Sequence, residues 1–222
     1  MLLGCEQHTM SDSVSFAEEI TRVDINLDSA DVLVTGREDG QGLVDYDVRY
    51  RGSEPDLTAE VVDGTLRVRM DCHLSCDGDF IIRVPSSATA VIRLDSGDMT
   101  VEDLAGVTAL QVDSGNIEVR NLSGNLTLSA DSGNISGNVR SLDVEGDVDS
   151  GSLSLHFDET PDDVDLTADS GNVSVSVPEG AYDIRTHVDS GRVELRDVTV
   201  DNHAPSVISA DVDSGNIKIV GY

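Results

Sequence analysis

Apolar and polar residues alternate through most of the chain. Ile92 and Leu94, Leu110 and Val112, Leu128 and Ala130, and Leu166 and Ala168 are apolar pairs spaced by two. A second pair follows downstream in most copies, as in Met99 and Val101, Ile117 and Val119, Leu153 and Leu155, Val173 and Val175, and Val193 and Leu195. Period two places every apolar member of a strand on one face, so each pair predicts a short β-strand with one buried side. Before residue 90 the alternating segments are longer: TRVDINL, DVLVTG, LVDYDVRY, LTAEVVDGTLRVRM, FIIRVP and AVIRL. Asp63-Gly64 within the fourth of these is a hairpin signal. No segment carries a convincing helical period. SVSFAEEITRV is the nearest, and it is too short and too β-branched to be read as a helix.

Between the paired strands stands one recurring tripeptide. Asp-Ser-Gly begins at residues 95, 113, 131, 149, 169, 189 and 213, at intervals of 18, 18, 18, 20, 20 and 24, and Asp28-Ser29-Ala30 is a degenerate earlier copy. A short fixed period marks a repeat architecture. Each repeat holds two strands with Asp-Ser-Gly at the corner between them. The opposite corner (RNLSGN, FDETPDD, VPEGAYD, VDNHAPS) absorbs the variation in length. Two strands per coil with the same face inward predict an all-β fold, a two-sheet parallel β-solenoid. Seven or eight coils at a strand spacing of about 4.8 Å make a rod of roughly 35–40 Å. The segments before residue 95 read as the first coils plus an antiparallel excursion that caps the N-terminal edge. The last coil ends at Tyr222 with no evident cap, which makes the C-terminal edge a candidate for oligomer contacts. The expected organisation is a signal remnant and tether over residues 1–17 and a single solenoid over 18–222. The solenoid divides into N-terminal coils and cap (18–94) and the Asp-Ser-Gly repeats (95–222).

The corner residues are the candidate site: Asp95 and Gly97, Asp113 and Gly115, Asp131 and Gly133, Asp149 and Gly151, Asp169 and Gly171, Asp189 and Gly191, and Asp213 and Gly215. Glycine permits the positive φ of a sharp corner. Aspartate can close an Asx-turn, and serine can bond neighbouring backbone from coil to coil. Asparagine follows the glycine in four copies, but Asp98, Ser152 and Arg192 also stand there. In water-like dielectric, stacked aspartates about 5 Å apart repel by only about 1 kcal/mol per neighbouring pair. The alternative is a calcium ladder. Calcium wants six or more oxygens, and the motif offers one carboxylate per coil at one corner. The reading adopted is a corner that needs no cofactor.

Composition narrows the functions. The formal charge is -29, with 43 Asp and Glu against 14 basic residues, of which Lys218 is the only lysine. Such a surface repels nucleic acid and anionic lipid. It leaves cations, basic surfaces and neutral glycans as partners, and it keeps a β-rich chain soluble. The core must be aliphatic, because Trp is absent and there are three Phe and four Tyr.

Cys72 and Cys76 sit four apart in DCHLSCDGD. With His73 they suggest a metal site, but no fourth ligand is evident. A local disulfide, suited to an exported chain, is the preferred reading. It leaves Cys5 as the odd cysteine. Leu2-Leu3-Gly4-Cys5 resembles a bacterial lipobox, in which the cysteine receives lipid. The charged and long apolar regions of such a signal do not precede it. The lipidated reading therefore places the start further upstream, and the alternative is a chance match of four residues. The polar stretch from Glu6 to Ser15 reads as a tether.

The segments LDSADVLVTG and CHLSCDGDFIIRVP and the run of DSGNI-type repeats together resemble the bacterial putative-adhesin domain family, a domain of unknown function built from β-strand repeats. The resemblance spans roughly residues 18–222. It implies export or envelope association and carries no catalytic residues. A direct search agrees, for His8, His73, His156, His187 and His203 share no motif, and no nucleophile–base–orienter set stands out. The expected function is a non-catalytic, lipid-anchored envelope module that scaffolds contact with an envelope protein or glycan. Its membrane contact would run only through the anchor. The alternative is an extracytoplasmic β-helix enzyme acting on polysaccharide.

Overall fold

A computed structural model describes residues 7–222. Among them there is no helix. Nineteen strands follow in order. The N-terminal region holds β1 (Gln7–Phe16), β2 (Arg22–Arg37), β3 (Gly42–Arg51), β4 (Asp56–Val62), β5 (Thr65–Asp71) and β6 (Ser75–Pro85). The repeats then give β7 (Thr89–Ser96), β8 (Met99–Glu102), β9 (Thr108–Ser114), β10 (Ile117–Leu122), β11 (Leu126–Ser132) and β12 (Ile135–Val139). They continue through β13 (Asp143–Ser150), β14 (Leu153–Phe157), β15 (Asp163–Ser170) and β16 (Val173–Val177). The chain finishes with β17 (Ala181–Arg196), β18 (Thr199–Val200) and β19 (Val207–Gly221).

These strands build a two-sheet parallel β-solenoid. One sheet takes the arm of each coil before the corner, and the other takes the arm after it. Pairing is parallel from coil to coil, as in β7 to β9 to β11 to β13 to β15 on one sheet and β8 to β10 to β12 to β14 to β16 on the other. The alternating apolar residues face inward and form one aliphatic core, with Ile92, Val112, Ile117, Val119, Ile135, Val148, Val173 and Val175 all fully buried or nearly so. Phe80, Phe157 and Tyr182 are the aromatic side chains among the largest fully buried ones.

The order of coils in space differs from their order in the chain at both ends. β2 bends at Asp28-Ser29-Ala30 and forms a whole coil by itself. Its first arm pairs with β5 on one side and β7 on the other, and its second arm lies between β6 and β8. β19 does the same at the other end, lying between the β15/β16 coil and β17. From base to top the coils run β5/β6, β2, β7/β8, β9/β10, β11/β12, β13/β14, β15/β16, β19 and β17. Nine coils at about 4.8 Å make a stack about 40 Å tall. The expectation that every coil neighbours its sequence successor therefore fails at the ends. The physical reason is that a terminal strand gains a second hydrogen-bonded neighbour and a fully covered apolar face by lying one rung in. Tyr222 accordingly does not mark the open edge; β17 does. The 24-residue interval is the detour from β17 back down to β19.

The base is closed by antiparallel strands, as the long alternating segments predict. β3 pairs with β6, and β4 pairs with β5 through the Asp63-Gly64 turn. β1 pairs with β3 along its whole length, from Gln7 opposite Arg51 to Phe16 opposite Gly42. That segment was expected to be a tether. It is instead an edge strand, whose polar reading follows from its position: only Met10, Val14 and Phe16 are apolar, and each is half-buried.

Rung order has an energetic signature. Val173 and Val193 occupy the same place in their repeats, two residues after the corner glycine. Val173 is 0% exposed on an interior rung, and Val193 is 43% exposed on the top one. Val173→Ala should cost about 2 kcal/mol or more, and Val193→Ala under about 1 kcal/mol. Denaturant unfolding of both variants checks this, and equal losses would contradict β17 as the outermost rung.

Candidate functional site

Each repeat brings its Asp-Ser-Gly to the same edge of the stack. The glycines are in register and rest on one another. Gly115 lies against the carbonyl of Gly97, Gly133 against Gly115, Gly151 against Gly133, Gly171 against Gly151, Gly215 against Gly171, and Gly191 against Gly215. A Cβ at Gly133 would overlap the carbonyl oxygen of Gly115, and its φ of 148° is one that L side chains rarely adopt. Two separate requirements, conformation and close approach, thus fix glycine there. The corner backbone also bonds upward: Gly97 N donates to Ser114 O, Gly115 N to Ser132 O, and Gly133 N to Ser150 O.

The side chains that tie corners together are those after the glycine. Asn116 donates through its backbone N and its Nδ2 to Asp98 Oδ1, each at 2.9 Å. Asn134 does the same to Asn116 Oδ1 at 3.1 Å, and Ser152 N donates to Asn134 Oδ1. Asp98 N donates to Asp31 Oδ1 at the foot of this run. A second run joins Asn216 to Asn172. Arg192, which breaks the Asp/Asn/Ser pattern, stands on the top rung. The sequence reading assigned the closing bonds to aspartate and serine. Among the described residues, the carboxylates of Asp95, Asp113, Asp131, Asp149, Asp169 and Asp213 instead accept no hydrogen bond. Asp189 meets His187 Nε2 at 3.0 Å. The recurrence of Asn, Asp or Ser after Gly was the available signal. It went unread as a ladder because the position is not invariant.

The aspartates point to solvent as a column. Following the strand register, its order is Asp71, Asp28, Asp95, Asp113, Asp131, Asp149, Asp169, Asp213 and Asp189. Crowding shows at the lower end. The Asp95 carboxyl is pushed above its ordinary value, first by partial burial and then by the charges of Asp28, Asp113 and Asp71. Arginines neutralise other faces locally, as in Arg69 with Asp24 at 2.7 Å and Arg83 with Asp45 at 3.1 Å.

Cys72 and Cys76 lie at the corner of the base rung, where the chain has no Asp-Ser-Gly. Their Cα atoms are 5.8 Å apart, within the span a disulfide bridges. Cys72 N donates to Asp28 Oδ2 at 2.7 Å, which ties this loop to the β2 corner. Cys5 lies outside the described residues. The histidines are dispersed. His73 faces Asp56 and His203 faces Asp201 at exposed positions, and the half-buried His156 faces Asp158 and stacks on Tyr222. Among the described residues no histidine bonds a serine or threonine hydroxyl, and no three His, Cys, Asp or Glu side chains are grouped to hold a metal ion. One surface hollow of about 590 Å³ lies beside Val193, Ile217 and Lys218.

The family model described as Toastrack DUF4097 matches residues 74–220, well over half of the chain. The chain belongs to the Toastrack family. Among solved structures it is similar to a putative adhesin from Bacteroides fragilis, at 16% identity over 95% of this chain and 97% of that one, with a TM-score of 0.43. It is similar to a putative cell adhesion protein from Clostridium sporogenes, at 14% identity over 96% and 100% of the two chains, TM-score 0.39. A putative lipid binding protein from Parabacteroides distasonis matches at 15% identity over 94% and 96%, TM-score 0.40. None of the curated proteins matches. The Toastrack module here is thus a β-solenoid whose distinguishing feature is its stacked corner.

The corner geometry ranks three substitutions. Gly133→Ala should lose about 3 kcal/mol or more, combining a disfavoured φ with overlap. Asn134→Ala should lose about 1–2 kcal/mol, because it frees the Ser152 N–H and removes the Nδ2 bond to Asn116 Oδ1, leaving only the backbone N–H of residue 134 on that acceptor. Asp131→Asn should stay within about 0.5 kcal/mol or stabilise, since it removes repulsion and breaks no bond. Thermal unfolding with calcium and with chelator, at fixed ionic strength, checks the ranking. A dominant loss at Asp131 that chelator reproduces would make the column a metal site.

Proposed function

We propose that this Toastrack chain is a non-catalytic module of the bacterial cell envelope, a stiff acidic rod that scaffolds contact with an envelope protein or glycan. The observation that carries this reading is the regularity of the stack. One rung after another presents the same corner, with the same carboxylate pointing outward and short loops on either side. A catalytic cleft needs convergent groups of different character held at one place. Here the chemistry-bearing side chains are repeated along an axis instead. A rod whose nine coils are joined by parallel hydrogen bonding from rung to rung holds its ends at a fixed distance, and its charge limits association with other polyanions.

In this reading Cys72 and Cys76 are oxidised, as suits an exported protein. Their loop closes the base rung, where a stacked glycine would have no rung beneath it to lie against. Cys5 carries the lipid that fixes the rod to a membrane, and β1 begins a few residues after it. The solenoid over residues 18–222 then stands close to its anchor, because Gln7–Phe16 belongs to the folded body.

Fractionation of the native host tests the proposal. The protein should be in the envelope fraction and accessible to added protease in intact cells once the outer layers are permeabilised. Mass spectrometry of that fraction should find a Cys72–Cys76 linked peptide and a lipid-bearing Cys5, and Cys5→Ala should release the protein from the membrane. A protein found in the cytosol with two free thiols would overturn the envelope assignment.

A further inference from the structure

We propose that two copies of this chain join top to top, pairing their β17 strands antiparallel across a two-fold axis that passes through the Asp189-Ser190 corner. The base of the stack is covered by β1, β3 and β4, but among the described residues only β18 reaches over the top, at Ala181 and Tyr182. On β17 the core-facing Val193 and Leu195 are 43% and 40% exposed, whereas Ile217 and Ile219, their counterparts one rung down, are 0% exposed. The backbone of this rung is also half unpaired. Asp183 N donates down to Ser206 O, while Gly180 O and Tyr182 O accept from Thr199 N and Asp201 N on the opposite, upper side. By strand alternation, Ile184, Thr186 and Val188 therefore point their N–H and C=O groups upward. On the second arm the glycine N–H points to the next rung, as Gly171 N does to Ser214 O. Gly191, Val193 and Leu195 point upward in the same way. β18 covers only Ala181 and Tyr182, and the backbone turns away at Asp197, whose φ is 53°. The free edge runs from residue 183 to residue 196.

A second copy fits this edge for three reasons. First, a dyad centred on the free edge sets residue 183 opposite residue 196 of the other copy. That register places Ile184 opposite Leu195, Thr186 opposite Val193 and Val188 opposite Gly191, so upward-pointing backbone groups meet and core-facing side chains meet. Second, the edge is locally neutral in a chain of charge -29: β17 carries Asp183, Asp189 and Glu194 against Arg185, Arg192 and Arg196. Self-association at this face avoids the repulsion that the rest of the surface would impose. Third, the charges choose the same register as the edge length does. Asp183 falls opposite Arg196 and Arg185 opposite Glu194, on both arms at once. A shift of two residues one way sets Arg185 against Arg196, and the other way against Arg192. Like charges directly opposite are destabilising in antiparallel pairs. The pairing is isologous, so it closes at two copies and does not propagate into a fibre. It stands independently of what the rod contacts in the envelope.

The test is sedimentation of the full chain over a wide concentration series, at low and at moderate salt. Wild type should show a monomer–dimer equilibrium. Arg185→Glu should weaken the dimer by at least about tenfold, because it sets Glu against Glu194 at two places. Glu194→Arg should do the same by setting Arg against Arg185. An equimolar mixture of the two variants should dimerise again, since each arm of the mixed pair then joins Glu to Arg. Recovery on mixing cannot come from a misfolded variant, and it requires the antiparallel dyad. A wild type that stays monomeric throughout, a dimer that neither substitution weakens, or variants that stay monomeric when mixed would each overturn the proposal.

Discussion

Six successive coils, from β9/β10 to β17, set a corner glycine directly against the carbonyl of the glycine below, Gly97 lies against the Ala30 carbonyl in the same way, and this close approach organises the molecule. Gly133 can approach the Gly115 carbonyl only because it has no side chain. Once those backbones touch, the N–H of each corner reaches the serine carbonyl of the next, and the residues on both arms come into register. Register then decides the rest. A slip of one residue would turn every inward Val, Ile and Leu to solvent. The aliphatic core, the asparagine runs and the aspartate column are all consequences of corners stacked at strand spacing. The seven Asp-Ser-Gly aspartates are tolerated because each is exposed to water, where about 1 kcal/mol of repulsion per pair is small beside the burial and hydrogen bonding of a whole rung.

The same constraint explains what the sequence made legible. Seven copies of one tripeptide, flanked by apolar pairs, disclose the coil, its two arms and its buried face. Residues such as Ile117, Val119, Val173 and Val175 sit where alternation puts them. The division of labour within the corner was less legible. Aspartate and serine are invariant in the motif and were read as the bonding residues, yet the bonds run through Asn116, Asn134 and Asn216. Repetition marks a position as required without saying which of its atoms is used. β1 escaped for a different reason, since an edge strand with three half-buried apolar residues has too little alternation to stand out.

Rung order was not legible at all, because adjacency in a parallel stack is a non-local property. Nothing in β2 or β19 distinguishes a coil that lies beside its sequence neighbour from one that lies between two others. The structure shows both terminal coils held one rung in, each flanked by parallel strands on both sides. Internal segments form the two outermost coils, the base one covered by antiparallel strands and the top one open. This arrangement secures the strands that would otherwise fray. It also transfers the open edge to β17, the coil in which the acidic pattern of the chain gives way to balanced charge.

Neighbour relations at the top corner test the account most directly. The serines of the motif are exposed, and Ser214 is in register with Ser170 below it and with Ser190 above it. Cysteines at Ser170 and Ser214, or at Ser190 and Ser214, would then be one rung apart, about 4.8 Å, and close enough for a disulfide. Cysteines at Ser170 and Ser190 would be two rungs apart, about 10 Å, and too far. Peptide mapping of the three oxidised double variants should find cross-links in the first two and none in the third. A cross-link between positions 170 and 190, with none between 170 and 214, would show that the coils stack in chain order and would contradict the account.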